Sequence, residues 1–470
     1  MPQAHTKGQG IFDGTLPFVY RLLGYLFFAA YAALALVYFP ERTLFTDAAY
    51  QAFYLLQDGL PVISHYRFGN VLPQLLPWAG LLCSADLPVV LALYSLGFPL
   101  FFVAIYALLV HWLKNDLLGW TLIAYLCLMT VDSFYYIQSE FYQAVPCILL
   151  AVAYLLKHPR LDRWQDWVFL MLLLALIVNY YSLAFLIFLF FWAYGWLRWK
   201  GFRHWRYGLL AGLLLVLVVV QGQFFQSSYE AYKMGLFYQA LEQYFPRFWE
   251  IPSNGKFLWK SWTIYYWWPI LLVLLMGLLL RKKYGWISWY VLFSLFGYVI
   301  LLHYGSPNTT YRFYAELGYL PIIPMIVFPL LVEGHSFLKK PFMPVLFGLI
   351  LLSRLLIIQG NHQSFTARLD YLRSALDCCT EGKCYQAMQE DPDGLLKMHW
   401  AIPYETLLLS SWSGPEHSKT LLLLSSPDKK QALFEQTTIW LLTSDSFEQH
   451  RLNPQYFKLP EQPYRRLNCK

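Results

Sequence analysis

Apolar runs long enough to cross a bilayer recur along this chain, and they constrain its fold more than any other feature. Residues 17–39 (PFVYRLLGYLFFAAYAALALVYF) form the first. Roughly 20 apolar residues span the hydrocarbon core, and in lipid such a segment must close its own backbone hydrogen bonds as a helix. The run is too long for a cleaved signal peptide and lacks a small-residue cleavage site, so it reads as an anchor that stays. Charged residues make up only 13% of the chain, about half the usual soluble share. Aromatics reach 19%, as suits belts at a membrane interface.

Lysine and arginine orient the chain. They cluster at 157–163 (KHPRLDR), 198–206 (RWKGFRHWR), 281–283 (RKK) and 339–340 (KK). The positive-inside rule makes these loops cytoplasmic, and alternation between them gives about eleven spans. They fall near 17–39, 87–113, 116–131, 141–156, 166–178, 181–197, 207–224, 264–280, 286–303, 317–333 and 342–358. The fifth and sixth are short and meet at Asn179-Tyr180-Tyr181; merging them would put two basic loops on opposite sides. The N-terminus is then cytoplasmic. Loops 40–86, 132–140, 225–263 and 304–316 lie outside, with everything after Gln359. A bacterial inner membrane is the expected location.

The expected fold is an all-α polytopic membrane domain over 1–359 and a small α/β extracytoplasmic domain over 360–470. In the tail, Phe365, Leu369, Leu372 and Leu376 recur at helical spacing, and Thr420–Ser425 and Thr437–Thr443 read as short buried strands. The tail holds 12 basic and 13 acidic residues, so the other 359 carry 23 − 15 = +8 of the net +7. That charge is the topology signal together with contact to anionic membrane lipids, and not a sign of nucleic-acid binding. Cys378, Cys379, Cys384 and Cys469 sit in the tail. In an oxidising compartment they suggest two disulfides, with the vicinal pair bonding outward to Cys384 and Cys469.

Loop 40–86 carries the first candidate residue. Thr46 reads as an N-cap, Ala49, Ala52, Phe53 and Leu56 share one face, and Gly59 reads as a stop, so a helix over 47–58 should lie flat on the membrane. Asp47 falls in its first turn, where the helix dipole favours the ionised form. His65 and Arg67 follow, and then 71–83, a second surface or re-entrant helix beginning at an Asn70 cap. Loop 132–140 (DSFYYIQSE) brings Asp132, Gln138 and Glu140 to the same level. Arg312 sits at the lip of the tenth span, and Arg354 lies inside the eleventh, where an arginine must find a partner or snorkel. The plainer readings are a capping Asp47, a Glu140 paired with a nearby base, a solvated Arg312, a snorkelling Arg354, and His65 and Arg67 facing headgroups.

This layout resembles the GT-C superfamily of membrane glycosyltransferases. The resemblance rests on the many spans, on Asp47 in the first long outer loop, on the flat stretch 47–83, and on Asp132 or Glu140 in the second. Tyr311-Arg312-Phe313 leading to Leu320-Pro321 is similar to the arginine and "LP" region of many members. Asp47 is followed by Ala48, so the tandem acidic pair of the protein mannosyltransferases is absent, and the tail has no WWDYG-like sequence. Uncharacterised bacterial members are the nearest in style.

The resemblance implies an inverting transfer from a polyprenyl-phosphate sugar to an acceptor that the sequence does not identify. Asp47 would be the general base. Arg312 or Arg354, with His65 or Arg67, would hold the departing phosphate. Glu140, with Gln138 beside it, would position the acceptor. No cofactor is expected, and a divalent metal shared by Asp47 and Glu140 is the alternative. A transporter or flippase for a lipid-linked substrate and a non-catalytic scaffold are the rival readings.

Overall fold

The computed structural model describes residues 12–158, 160–181, 183–308, 311–388, 395–396, 398–424, 438–440 and 446–467. The chain is mostly helical. Seven helices are long and apolar enough to cross a membrane, or eight if Pro252–Thr263 and Trp267–Arg281, bent by 80° at their junction, form one broken span. Each of the other expected spans is also a helix, but Asp116–Cys127, Trp164–Tyr180 and Ala184–Arg198 are shorter than the rest. The break after Tyr180 turns the chain back on itself, so that Arg206 donates to the Arg160 carbonyl at 2.9 Å.

Burial sorts the helices into a centre and a rim. Glu140–Lys157 and Arg312–Glu333 are almost wholly enclosed, whereas Trp205–Phe224 and Gly285–Gly305 are buried over only about a quarter of their length. What the rim exposes is apolar, including Val216, Val219, Phe224, Trp289 and Phe293. An apolar rim of this extent suits lipid better than water. Helix Val71–Leu82 folds back on Leu87–Ala107. The approach requires Gly97, because a Cβ there would sit 2.1 Å from the Pro73 carbonyl oxygen.

Charged contacts separate the two ends of the bundle. At one end Arg198 and Lys282 share Glu333 at 2.7 and 2.9 Å, and His335 lies 3.0 Å from the Thr15 carbonyl. At the other end segments 40–86, 132–140, 304–316 and the tail come together. There Arg312 Nε bonds Asp132 at 2.6 Å, and Asn361 joins both at 2.6 and 2.7 Å.

The tail opens with helix Gln363–Cys378, whose Phe365, Leu369, Leu372 and Leu376 are buried. Five short strands follow: β1 (Lys383–Ala387), β2 (Thr420–Leu424), β3 (Ile439–Trp440), β4 (Ser446–Phe447) and β5 (Arg465–Arg466). β1 pairs in parallel with both β2 and β5, in the order β2-β1-β5, and β3 pairs antiparallel with β4. Ser425, Thr437 and 441–443 of the two expected strands lie outside the described residues. A disulfide joins Cys379 to Cys384. Cys378 is disulfide-bonded as well, and Cys469, the fourth cysteine of the two expected bridges, lies outside the described residues. Most buried apolar residues of the tail share one continuous core with helix Thr46–Asp58, while Leu422, Leu424, Trp440 and Tyr464 form a small cluster of their own.

Candidate functional site

Helix Thr46–Asp58 ends at Gly59, which takes the left-handed conformation (φ +67°) that terminates helices. Its start differs from the expectation. Thr46 does not cap it. Thr46 has φ +46°, its hydroxyl is buried without a partner, and its backbone N–H donates instead to Glu405 of the tail at 2.9 Å. Asn70 likewise caps nothing. Its side chain donates to Gln51 and accepts from Gln138 at 2.7 and 2.6 Å, and Gln138 accepts from Tyr94 at 2.9 Å.

Asp47 lies in the wall of a cavity of about 400 Å³. Arg67, Gln138 and Glu140 line the same cavity, joined by Tyr136, Tyr229, Lys233, Tyr311, Tyr314 and Tyr319. The chain supplies these groups from four places: the segment 47–67, the turn 136–140, helix Ser228–Tyr244 and the segment 302–319. Buried contacts fix the turn. Glu316 accepts the N–H groups of Val131 and Ser133 at 3.0 and 2.8 Å, and Arg42 donates to the Phe134 carbonyl. The turn thereby delivers Tyr136, whose hydroxyl donates to Asp47 Oδ2.

Burial governs the acidity of Asp47. It pushes the carboxyl up to about 6, against the lowering effect of the Tyr136 hydrogen bond; Glu140 raises it further, and Lys233 and Arg67 draw it down. Burial thus acts against the helix dipole expected to favour the ionised form, and desolvation outweighs a dipole effect of at most about 2 kcal/mol; a carboxyl near 6 is nonetheless mostly ionised at neutral pH. A carboxyl near 6 is matched to taking up a proton close to neutral pH.

Glu140 is not a free carboxylate. Its Oε2 accepts from Arg67 Nη1 at 2.7 Å, and Arg67 Nη2 lies 3.4 Å from Glu230. Arg67 thus has two carboxylates of its own, which leaves little of its charge for a ligand. Lys233 differs: among the described residues no carboxylate pairs with it, and its ammonium sits over the Tyr229 ring, 4.4 Å from the centroid.

Three expected site residues lie elsewhere. His65 does not line the cavity; it stacks on the back of Tyr229 with ring centroids 4.7 Å apart. Burial and the nearby Arg67 charge lower its pKa. Arg312 does not line the cavity and is engaged by Asp132 and Asn361. Arg354 is buried but donates to the carbonyls of Cys127 and Thr130 at 2.9 and 3.0 Å, so it closes the end of helix Asp116–Cys127. Lys233, Tyr136 and Tyr229 went unread in the sequence, although Tyr136 stands two residues before Gln138 in the loop already marked.

Among the described residues, no three His, Cys, Asp or Glu side chains come together as metal ligands. In comparisons with known proteins, no family model, curated protein or solved structure matches this chain.

Proposed function

We propose that the chain is a membrane glycosyltransferase of the GT-C kind, which moves a sugar from a polyprenyl-phosphate lipid to an acceptor outside the cytoplasm. One observation carries this reading: Asp47, with a carboxyl near 6, shares a half-enclosed cavity with an uncompensated lysine and a ring of tyrosines. Asp47 takes the proton of an acceptor hydroxyl. The acceptor oxygen bonds the anomeric carbon as the bond from that carbon to the phosphate oxygen breaks, and the phosphate leaves as an anion with inversion at the sugar. Lys233 meets the growing charge on the phosphate. Arg67 and Glu140 form the wall beside it, and tyrosine faces suit the apolar faces of a sugar ring.

In this reading the end with the basic clusters and the N-terminus is cytoplasmic. The cavity and the tail lie outside, in a bacterial inner membrane, where an oxidising compartment suits the Cys379–Cys384 disulfide. All eleven apolar helices or helix pairs then cross the bilayer, the three shorter ones included, and 360–470 acts as an extracytoplasmic cap.

A test is mass spectrometry of the purified chain for a co-purifying polyprenyl-phosphate sugar, followed by transfer assays. Asp47→Asn should keep donor binding and lose transfer, and Lys233→Gln should weaken donor binding. Undiminished transfer by Asp47→Asn removes Asp47 as base. Movement of the labelled lipid across vesicle leaflets, without transfer, would hand the site to the transporter reading.

A further inference from the structure

Residues from the far end of the chain hold both ends of the helix that carries Asp47. At its start, the Thr46 N–H donates to Glu405 Oε1 at 2.9 Å. That carboxylate is fully buried and is gripped by Arg368, with contacts of 2.7, 2.9 and 3.0 Å. The Arg368 guanidinium also lies 5.3 Å from the centroid of the Phe45 ring, the residue just before the helix. At its end, Asn453 donates its side-chain amide to the Leu56 carbonyl at 2.8 Å and its backbone N–H to Gln57 at 2.9 Å. Between them Phe53 packs on Tyr404 and Phe457, with ring centroids 5.3 and 5.4 Å apart.

The grip is tightest where the backbone is least comfortable. Thr46 is β-branched and has φ +46°, a region such residues rarely occupy. A conformation of that kind persists only where its surroundings impose it. Here the imposing groups are the Glu405 carboxylate on the Thr46 N–H and the burial of the threonine itself. The next residue is Asp47. Its carboxyl must reach the Tyr136 hydroxyl, with Glu140, Arg67, Lys233, Tyr229 and Tyr314 around it. A rotation of the first turn would swing it away from all of them.

We propose that the C-terminal segment is the clamp that sets Asp47 in its cavity, with Glu405 as the positioning residue. The activity part of this claim rests on reading Asp47 as the base; the clamp itself does not. The segment is thus a part of the site supplied from more than 300 residues away, where a detachable cap would leave the helix intact.

Two double variants of the full chain separate positioning from packing. Arg368→Met with Glu405→Gln removes the buried charges but keeps an oxygen for the Thr46 N–H. Arg368→Met with Glu405→Leu removes the oxygen as well. Removing both charges together avoids stranding either one in the core. Hydrogen–deuterium exchange of the first turn of Thr46–Asp58 should be near wild type in the Gln variant and about ten-fold faster or more in the Leu variant. In the transfer assay, the acid limb of the rate profile should stay near wild type in the Gln variant. In the Leu variant it should move to lower pH, as Asp47 swings into water. Glu405→Asp, which keeps the pair with Arg368 but draws the carboxylate back, serves where the Leu variant does not fold, and should also speed exchange. Wild-type exchange in the variants that lose or retract the oxygen overturns the clamp, whatever the transfer assay reads. Faster exchange with an unmoved acid limb overturns the positioning of Asp47. If the wild-type chain transfers no sugar, the base reading fails and the exchange result still decides the clamp.

Discussion

Asp47→Asn is expected to stabilise the folded chain at neutral pH and above, and to do so less and less as the pH falls. Burial holds the Asp47 carboxyl at about 6, against 3.8 for an ordinary aspartate. Between those values the folded chain keeps a proton that the unfolded chain has lost, so stability falls as pH rises through the window. Above about pH 6 the whole penalty is present, and below the ordinary value it is gone. At about 1.36 kcal/mol per pH unit the shift corresponds to roughly 3 kcal/mol, discounted to about 1–2 kcal/mol because the Asp47 side chain is only half-buried and open to solvent screening. Asparagine keeps an oxygen to accept the Tyr136 hydroxyl, so the variant loses the charge and little else. Thermal unfolding of both chains in the same detergent, at pH 8 and pH 4.5, measures the effect. The gain at pH 4.5 should be about half to two thirds of that at pH 8. An Asp47→Asn chain less stable than wild type at pH 8, or a gain equal at both pH values, would refute the claim that the folded protein strains to keep this carboxylate.

Tyr136→Phe removes the hydrogen bond that lowers the Asp47 pKa, so the acid limb of the transfer profile should rise by about one unit from its position near 6; a limb that stays put or moves down counts against the contact. Arg354→Leu leaves the Cys127 and Thr130 carbonyls without their donor and should cost about 1–3 kcal/mol in melting experiments, with the affinity for a polyprenyl-phosphate donor unchanged. Weakened donor binding at unchanged stability would return Arg354 to the site.

The membrane segments were legible because hydrocarbon leaves a chain few choices. A run of some twenty apolar residues in lipid must be a helix, and its composition alone says so. The amphipathic helices at 46–58 and 363–378 were legible for a related reason: one face of each had to be buried, and the 3.6-residue period showed which. Spacing cannot say what covers that face. Nothing in Ala49, Ala52, Phe53 and Leu56 tells a membrane surface from Tyr404 and Phe457 of the tail, and the flat-on-the-membrane expectation took no account of the second. The caps failed in the same way. Thr46 and Asn70 are the right residue types in the right places, but a buried glutamate 359 residues away took one N–H, and a polar network took the Asn70 side chain.

The arginines show why a site cannot be read from which charges a chain contains. A buried or membrane-depth cation demands an explanation, and a bound phosphate is one. Asp132 with Asn361, a helix end, and a pair of glutamates are three others, and they account for Arg312, Arg354 and Arg67 in turn. Each of those cations is conspicuous in the sequence because it is structurally costly, and it is held by its partners for the same reason. Among the described residues of the cavity wall, the cation that no carboxylate pairs with is the inconspicuous one, an exposed lysine on helix Ser228–Tyr244. Asp47 shows the converse. Its carboxyl has a single hydrogen bond, from Tyr136, and no ion pair among the described residues, and burial keeps it poised near neutrality. In a site that must receive charge from a substrate, the groups whose needs the fold leaves unmet are the ones to test.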